Sequence, residues 1–568
     1  MNFYTRATTT VLSTALMLAA CSPDTERADT IFLNGDILTM STDHPAAEAL
    51  GIVGDRIAAV GSEAEVMTLR SADTQIIDLQ GRTLLPGFFQ PHEHPSLTSV
   101  VFSWPDVSDQ SVSTAEQVWA VIRDAVAGKQ PGEWVFINGW SRIIPGLAAP
   151  SLAELDAIAP DNPLFVLQQI PYVAHVNSLA LEQAGISRDS ADPVGGMYGR
   201  DANGDLDGTL FEGPAIFPFL MNQSLPHTAK DYETFLRQEL QRHAANGVTS
   251  FASMGLFLPP EVDIFPVYRK LSATGQFPRH FVYVAEFNLD NKMAGARPGE
   301  GTDYLRFGGV KFFFDGSLFS GTALLCEPYE FNDVVDAFHF KPGQNGATAW
   351  KDQQALKERL IQLHNDGWQL SAHVVGDCGA QRLIGLYDQV LAEARPRDDH
   401  RHLIQHMTLS HPDDFRRMAD TGLSPSILLP MYYYFGELLE YYIGPERVRN
   451  LTRVKSALDA GHRVTWHADA PLFMSSPLEM INMAVVRSSK QGSVIGAEEA
   501  ISVAEALKAA TLDGAWQVHR EKTLGSLEPG KFADLVVLAD NPLKVDPDTI
   551  RNIVVLQTWI GGRRVFRR

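Results

Sequence analysis

Cysteine is scarce. The 568-residue chain has three, Cys21, Cys326 and Cys378. No Cys-x-x-Cys pair exists, which excludes the thiolate zinc sites built from such pairs. Cys326 and Cys378 stand too far apart in sequence to read as a disulfide framework. Any metal must therefore rely on His nitrogen and carboxylate oxygen. Positive charge is also short, with 47 basic against 68 acidic residues and a formal net charge of -21. That balance argues against nucleic acid as a partner, because phosphate binding needs a basic surface. Past the N-terminus, no apolar run approaches the roughly 18 residues of a membrane-spanning helix. Low-complexity tracts and internal repeats are missing. What is present is an ordinary globular composition, 45% hydrophobic and 20% charged, in a chain too long for one small core.

Residues 1–20 read as a signal peptide. Arg6 precedes "VLSTALMLAA", an apolar run too short to span a membrane. The run ends in "LAAC", residues 18–21, which resembles a bacterial lipobox. That resemblance implies cleavage before Cys21 and a lipid on its thiol; ordinary secretory cleavage near Ala20 is the alternative. The polar "SPDTERADT" gives a tether at 21–29. The expectation is an exported, membrane-anchored lipoprotein facing the periplasm.

Residues 30–83 and 521–568 share a texture of short strands. Turn signals such as Asn34-Gly35 and Gly54-Asp55 separate their apolar runs. The two chain ends are therefore expected to meet in one small β-sandwich. Between them, strands alternate with helical stretches, the signature of a parallel sheet. Candidates are "LLPGFFQPHEH" and the segments 247–253, 279–287, 305–316, 368–377, 401–408, 422–429 and 462–471. Eight βα units predict a TIM barrel over 84–520, with its active site at the C-terminal ends of the strands. Residues near 100–205 fit no simple connection and read as an inserted subdomain that shapes the pocket.

Chemistry collects at those strand ends. His92 and His94 are two apart, so in a strand both face one point. Lys311 follows on strand four, His373 on five, His406 on six and Asp469 on eight. His373 or His406 alone reads as a satisfied core histidine, and Lys311 alone as a buried lysine paired with Asp315. As a set at matching strand ends they point to a metal held by nitrogen and oxygen.

The order His-x-His, Lys, His, His, Asp resembles the amidohydrolase superfamily. The phrases "LPGFFQPHEH", "LDAIAPDNPLFVLQ", "AHVNSLAL", "GGMYGRDANGDLDGTLFE", "GGVKFFFDGSL", "AHVVGD" and "GSLEPGKFADLVVL" resemble its YtcJ-like branch, amidohydrolase family 3. The resemblance implies that Lys311 is carboxylated and bridges two Zn²⁺ ions. His92, His94 and Asp469 would hold one metal and His373 and His406 the other; a single metal is the alternative. A hydroxide bridging the metals would be the nucleophile, and Asp469 the catalytic proton shuttle. His175, in "AHVNS", matches a family motif near the pocket and is expected to touch substrate. His467 shares the face of Asp469 and is a substrate-side or supporting group, or structural. Tyr432 and Tyr433 either line an apolar pocket or cover the barrel as loop aromatics. His402 reads as structural. Three departures stand out: Gln90 where the superfamily has Asp, Gln405 where it has Glu, and "WHA" before Asp469 where small residues are usual. The implied activity is hydrolysis of a non-peptide carbon–nitrogen bond in a small N-acyl, N-formyl or cyclic amide. Ester, lactone or organophosphate hydrolysis is the alternative chemistry, and a non-catalytic ligand-binding lipoprotein the alternative class.

Overall fold

The computed structural model describes residues 27–169, 172–193, 196–221, 228–255, 264–336 and 338–568. The signal peptide, Cys21 and the start of the tether lie outside the described residues. Eight parallel strands form the central sheet: Phe88–Glu93, Val248–Met254, Arg279–Ala285, Leu305–Phe313, Gln369–Val374, Leu403–His406, Ser424–Leu428 and Thr465–His467. They are numbered here as barrel strands one to eight. Each pairs with its sequence neighbour. The eighth lies beside the first, and the His94 amide donates to the Ala470 carbonyl across that seam at 3.1 Å. The result is a nearly closed barrel, and every strand expected from the sequence is in it. The strands are buried on both faces, as a helix-covered parallel sheet requires; strands two and three are buried at every position. The connecting helices carry local start and stop signals. Ser476 and Glu479 make a capping box ahead of Pro477–Val486. Gly422, at φ 71°, ends Pro412–Thr421 in the left-handed conformation that glycine adopts freely.

The two chain ends do meet. Strands from 30–86 and 535–567 hydrogen-bond into one eight-stranded sheet. The sheet curls until Phe32 meets the Trp559 ring edge-on, centroids 5.2 Å apart. One apolar core lies between its halves, built from residues such as Leu50, Leu84 and Leu535. A buried bidentate pair docks this module at the start of barrel strand three. Arg279 donates from Nε and Nη2 to Asp534 at 2.7 and 3.0 Å, and its guanidinium lies over Phe532. Such forked geometry offsets the desolvation of both charges. The module therefore sits at the N-terminal ends of the strands, away from the site.

The insertion after strand one contains Ala115–Ala127, capped by Thr114 and Gln117, and a five-stranded sheet. That sheet runs from Val135 to Phe211, so it passes the limit near 205 expected from sequence. The Gly-rich stretch is the reason. It forms the hairpin Met197–Arg200 with Leu206–Phe211 instead of a boundary loop.

Cys326 and Cys378 form a disulfide across 52 residues, which corrects the reading from their separation. Strands four and five are neighbours in the barrel, so the segments that follow them emerge side by side. Sequence distance does not measure spatial distance in a βα barrel.

Three histidines brace the entry to strand six through a single consistent set of protons. The His400 Nδ1 accepts the His402 amide at 3.1 Å, so its proton is on Nε2 and goes to the Thr421 carbonyl at 3.0 Å. The His402 Nδ1 accepts the Leu370 amide at 3.0 Å, so Nε2 donates to His364 Nδ1 at 2.8 Å. His364 then donates from Nε2 to the Arg395 carbonyl at 2.9 Å. All three are neutral in this arrangement, and burial lowers the pKa of each, that of His400 to about 4. In the unfolded chain they protonate near pH 6.5. The unfolded state thus takes up protons first as pH falls. Stability is expected to drop from about pH 6.5 toward 4, at about 1.4 kcal/mol per pH unit for each histidine held neutral. His402→Leu should be less stable throughout but show a shallower slope by about that amount in urea titrations between pH 5 and 6.5. An unchanged slope would show that His402 does not carry this dependence.

Candidate metal centre

Strand one ends "FFQPHE", and its alternation turns His92 into the barrel mouth, fully buried. His94 follows at the start of the next helix, partly exposed. Asp469 reaches both from the end of strand eight. Its Oδ1 lies 3.0 Å from His92 Nε2 and 3.0 Å from His94 Nε2. His406, from strand six, brings Nδ1 within 3.9 Å of the other carboxylate oxygen. His406 and Asp469 both have positive φ, 73° and 58°. Such backbone costs a non-glycine residue about 1–3 kcal/mol and persists where the surroundings impose it. Here it turns two side chains inward at the strand ends.

His467 is the unexpected member. It is fully buried, and its ring stacks on His92 with centroids 4.2 Å apart. Neither of its ring nitrogens has a hydrogen-bond partner among the described residues. His92, His467 and Asp469 each offer a ligand atom within 4.8 Å of the others, so among the described residues they form a candidate metal group. The position read as substrate-facing is thus part of the donor cluster. His373 lies against His406, ring centroids 4.3 Å apart. It uses Nε2 toward the Gly316 carbonyl at 3.1 Å, while its Nδ1 has no partner.

The proton inventory fits a cation. Gln405 directs Nε2 to Ser371 Oγ at 3.1 Å, which leaves Oε1 facing His92 Nδ1 at 2.9 Å. An amide oxygen only accepts, so the single proton of a neutral His92 is on Nδ1. Burial, with Lys311 nearby, lowers the His92 pKa to about 4, so neutral it is near pH 7. Its Nε2 lone pair then faces a carboxylate oxygen at 3.0 Å, two acceptors in contact. A divalent metal between them resolves that contact, and the fixed tautomer is the one a metal-bound imidazole takes. Burial also lowers the pKa of His373 to about 3 and those of His406 and His467 well below the usual range. Neutral imidazole is the ligating form. For Asp469 burial acts upward, but the surrounding imidazoles of His92, His94 and His406 outweigh it and hold the carboxyl well below the usual range.

Lys311 is buried on strand four, and desolvation lowers its pKa to about 7, opposed by Asp469. Asp315 is committed elsewhere: it accepts the amides of Leu324, Val375 and Gly376 at 2.9–3.0 Å. The Lys311–Asp315 pair open from sequence therefore does not claim that carboxylate.

The residue model of the Amidohydrolase family matches residues 75–566. The chain belongs to that family. An N-substituted formamide deformylase from Arthrobacter pascens is 27% identical over 558 residues, covering 96% of this amidohydrolase and 99% of the relative. The YtcJ protein of Bacillus subtilis (strain 168) is 25% identical over 557 residues, with 95% and 99% covered. A solved structure described as an uncharacterized metal-dependent hydrolase, from Pyrococcus horikoshii OT3, superposes with a TM-score of 0.72 at 22% identity. It covers 91% of this amidohydrolase and 99% of that chain, and supports the shared fold.

The structure gives protein partners to three residues expected to touch substrate. His175 is buried within the insertion's sheet. Its nitrogens face Gln168 Nε2 at 2.7 Å and Thr209 Oγ1 at 3.5 Å, and its ring approaches Trp140. Tyr432 is a core residue whose hydroxyl donates to the Met483 carbonyl at 2.6 Å, with the Arg487 guanidinium over its ring. The Tyr433 hydroxyl accepts from Arg551 at 2.6 Å. Both tyrosines belong to the helix Pro430–Val448, not to a loop, and apolar packing accounts for them. Conversely, sequence reading missed Gln405 as the partner of His92 and missed Tyr172 and Phe313, whose rings lie 6.3 and 5.3 Å from His373. The place of Phe313 two residues after Lys311 in the same strand was the available signal for it; nothing in the sequence marks Tyr172.

Metal affinity tests the donor set. Gln405→Leu removes the hydrogen bond that fixes the His92 tautomer and should weaken metal binding about 10–100-fold. His92→Ala and His467→Ala should each release metal to a chelator more readily still. A His467→Ala protein with wild-type metal retention would remove His467 from the ligand set.

Proposed function

We propose that this amidohydrolase cleaves a carbon–nitrogen bond other than a peptide link, in a small N-acyl, N-formyl or cyclic amide. The observation that carries the reading is the Asp469 carboxylate held 3.0 Å from the Nε2 atoms of His92 and His94, with the His92 proton on Nδ1 and committed to Gln405. A site that only bound ligand would have no use for a carboxylate both at the metal position and open to proton exchange. The formamide deformylase relative supports the choice of bond.

His92, His467 and Asp469 would hold the metal, with His94, His373 and His406 around them. Zinc suits a set of imidazoles and one carboxylate. A neutral Lys311, favoured by its burial, is the form that takes up carbon dioxide as a carbamate, which would add two oxygen donors and allow a second zinc. The cation's contribution when bound is Lewis acidity, which polarises the amide carbonyl and makes water a competent nucleophile near neutral pH. The protein does the rest. Asp469 takes a proton from the attacking water as its oxygen bonds to the carbonyl carbon. It then delivers that proton to the leaving nitrogen as the carbon–nitrogen bond breaks, giving a carboxylic acid and an amine. The histidines, neutral and fixed, compete for no proton in that exchange.

Export as a lipid-anchored protein is the proposed setting. It rests on the "LAAC" stretch and is supported by the Cys326–Cys378 disulfide, a bond that persists in oxidising compartments.

Two outcomes follow. Asp469→Asn keeps an oxygen near the metal but cannot accept and return a proton. It should lose metal only in part while kcat for a formamide or acetamide substrate falls about 10²–10⁴-fold. Near-normal turnover at full metal occupancy would move the proton shuttle elsewhere. Cys21→Ser should shift the protein from the membrane fraction to soluble or unprocessed forms; an unchanged distribution would remove the anchor.

A further inference from the structure

The "FFF" run that ends barrel strand four splits by strand alternation. Phe312 and Phe314 are buried at 2% and 1% exposure, whereas Phe313 is 37% exposed. Phe313 is two residues beyond Lys311, so it projects on the same face of the sheet, one layer nearer the mouth. Its ring centroid is 5.6 Å from Lys311 Nζ and 5.3 Å from the His373 ring. The backbone on both sides is pinned. Its carbonyl accepts from Trp350 Nε1 at 3.0 Å, and the next amide donates to the His373 carbonyl at 3.0 Å. The strand end that carries the ring is therefore fixed. A second aromatic ring, Tyr172 of the insertion, stands 6.3 Å from His373. Its carbonyl is tied to the Glu212 amide at 2.8 Å.

Single exposed apolar residues are ordinary on a protein surface. This one is in a strand otherwise buried toward its C-terminal end and stands over a polar, histidine-lined centre. Small-molecule sites combine a few fixed polar groups with aromatic walls that take the apolar part of the ligand. We propose that Phe313 and Tyr172 form an aromatic subsite beside the metal centre that takes a bulky apolar or aromatic substituent of the amide substrate. The inference rests on the amide-hydrolase reading and deepens it. It names the substrate class as amides whose substituent is large and apolar, and makes Phe313 a specificity-determining residue.

Binding and turnover separate the two ideas. The probes are N-phenethylacetamide and N-methylacetamide, which share the reacting group and differ in the substituent. Calorimetry on the metal-loaded full chain should show the phenethyl compound binding about 10-fold or more tightly than the methyl one, the scale on which an apolar pocket discriminates. Phe313→Ala should abolish that preference at unchanged metal content and melting temperature, and Phe313→Tyr should retain it. In turnover, Phe313→Ala should raise KM for the phenethyl amide selectively. No preference in the wild type, or a preference untouched by Phe313→Ala, overturns the subsite. Should Phe313→Ala fail to fold, Phe313→Leu and Tyr172→Ala serve the same comparison, and equal losses for both probes overturn the subsite. If the phenethyl compound binds preferentially through Phe313 but is not hydrolysed, the subsite stands and the amide-hydrolase reading fails.

Discussion

The contact on which this site depends is between like partners. The His92 Nε2 lone pair and an Asp469 oxygen meet at 3.0 Å, and the proton that would reconcile them is held on the far side of the ring by Gln405. A neutral imidazole has one proton to give. Once Gln405 claims it, the near side accepts only, and a cation is the partner that satisfies both atoms. Several features serve that contact. Barrel strands one and eight meet at the seam where His94 bonds to the Ala470 carbonyl. The left-handed backbone at Asp469 aims its carboxylate back across the mouth. Ser371 orients Gln405.

Burial sets the electrostatics around it. In a dry pocket the cost of charge falls on whichever group can shed it, so the imidazoles and Lys311 are pushed toward neutrality while Asp469 keeps its charge beside them. The same rule operates at a distance in His364, His400 and His402, where each ring has one nitrogen that accepts and one that donates. There the neutral state braces the chain that leads into strand six and so supports the position of His406. In the candidate metal centre His373, His406 and His467 have ring nitrogens without a hydrogen-bond partner among the described residues; in the brace none is left over. Between these two clusters, partner accounting shows a difference that counting histidines does not.

Two of the three departures from the family pattern also find physical roles. Gln405 lacks the charge of the usual Glu but supplies the acceptor that His92 needs, and its amide end adds a donor to Ser371. His467 stands where a small residue is usual and adds a fifth imidazole to those of His92, His94, His373 and His406, stacked on His92 and without a hydrogen-bond partner among the described residues. The change adds nitrogen to the candidate donor group of His92, His467 and Asp469.

The eight strands and the order of His92, His94, Lys311, His373, His406 and Asp469 were legible in the chain itself. Strand alternation and apolar runs are local properties, and a metal needs particular residue types at strand ends wherever the barrel closes. The meeting of the chain ends was legible for the same reason, as matching strand texture. Other features waited for the tertiary structure because they depend on distances between segments far apart in sequence. Cys326 finds Cys378 because strands four and five are neighbours. Tyr432 and Tyr433 are drawn into packing by Arg487 and Arg551, and His175 by Gln168, which no local pattern encodes. Phe313 is exposed while its two flanking phenylalanines are buried, because strand direction selects one ring of three for the mouth. Residue type and spacing determined which atoms can bind a metal; only the nearly closed barrel decided which of them face an orphaned partner.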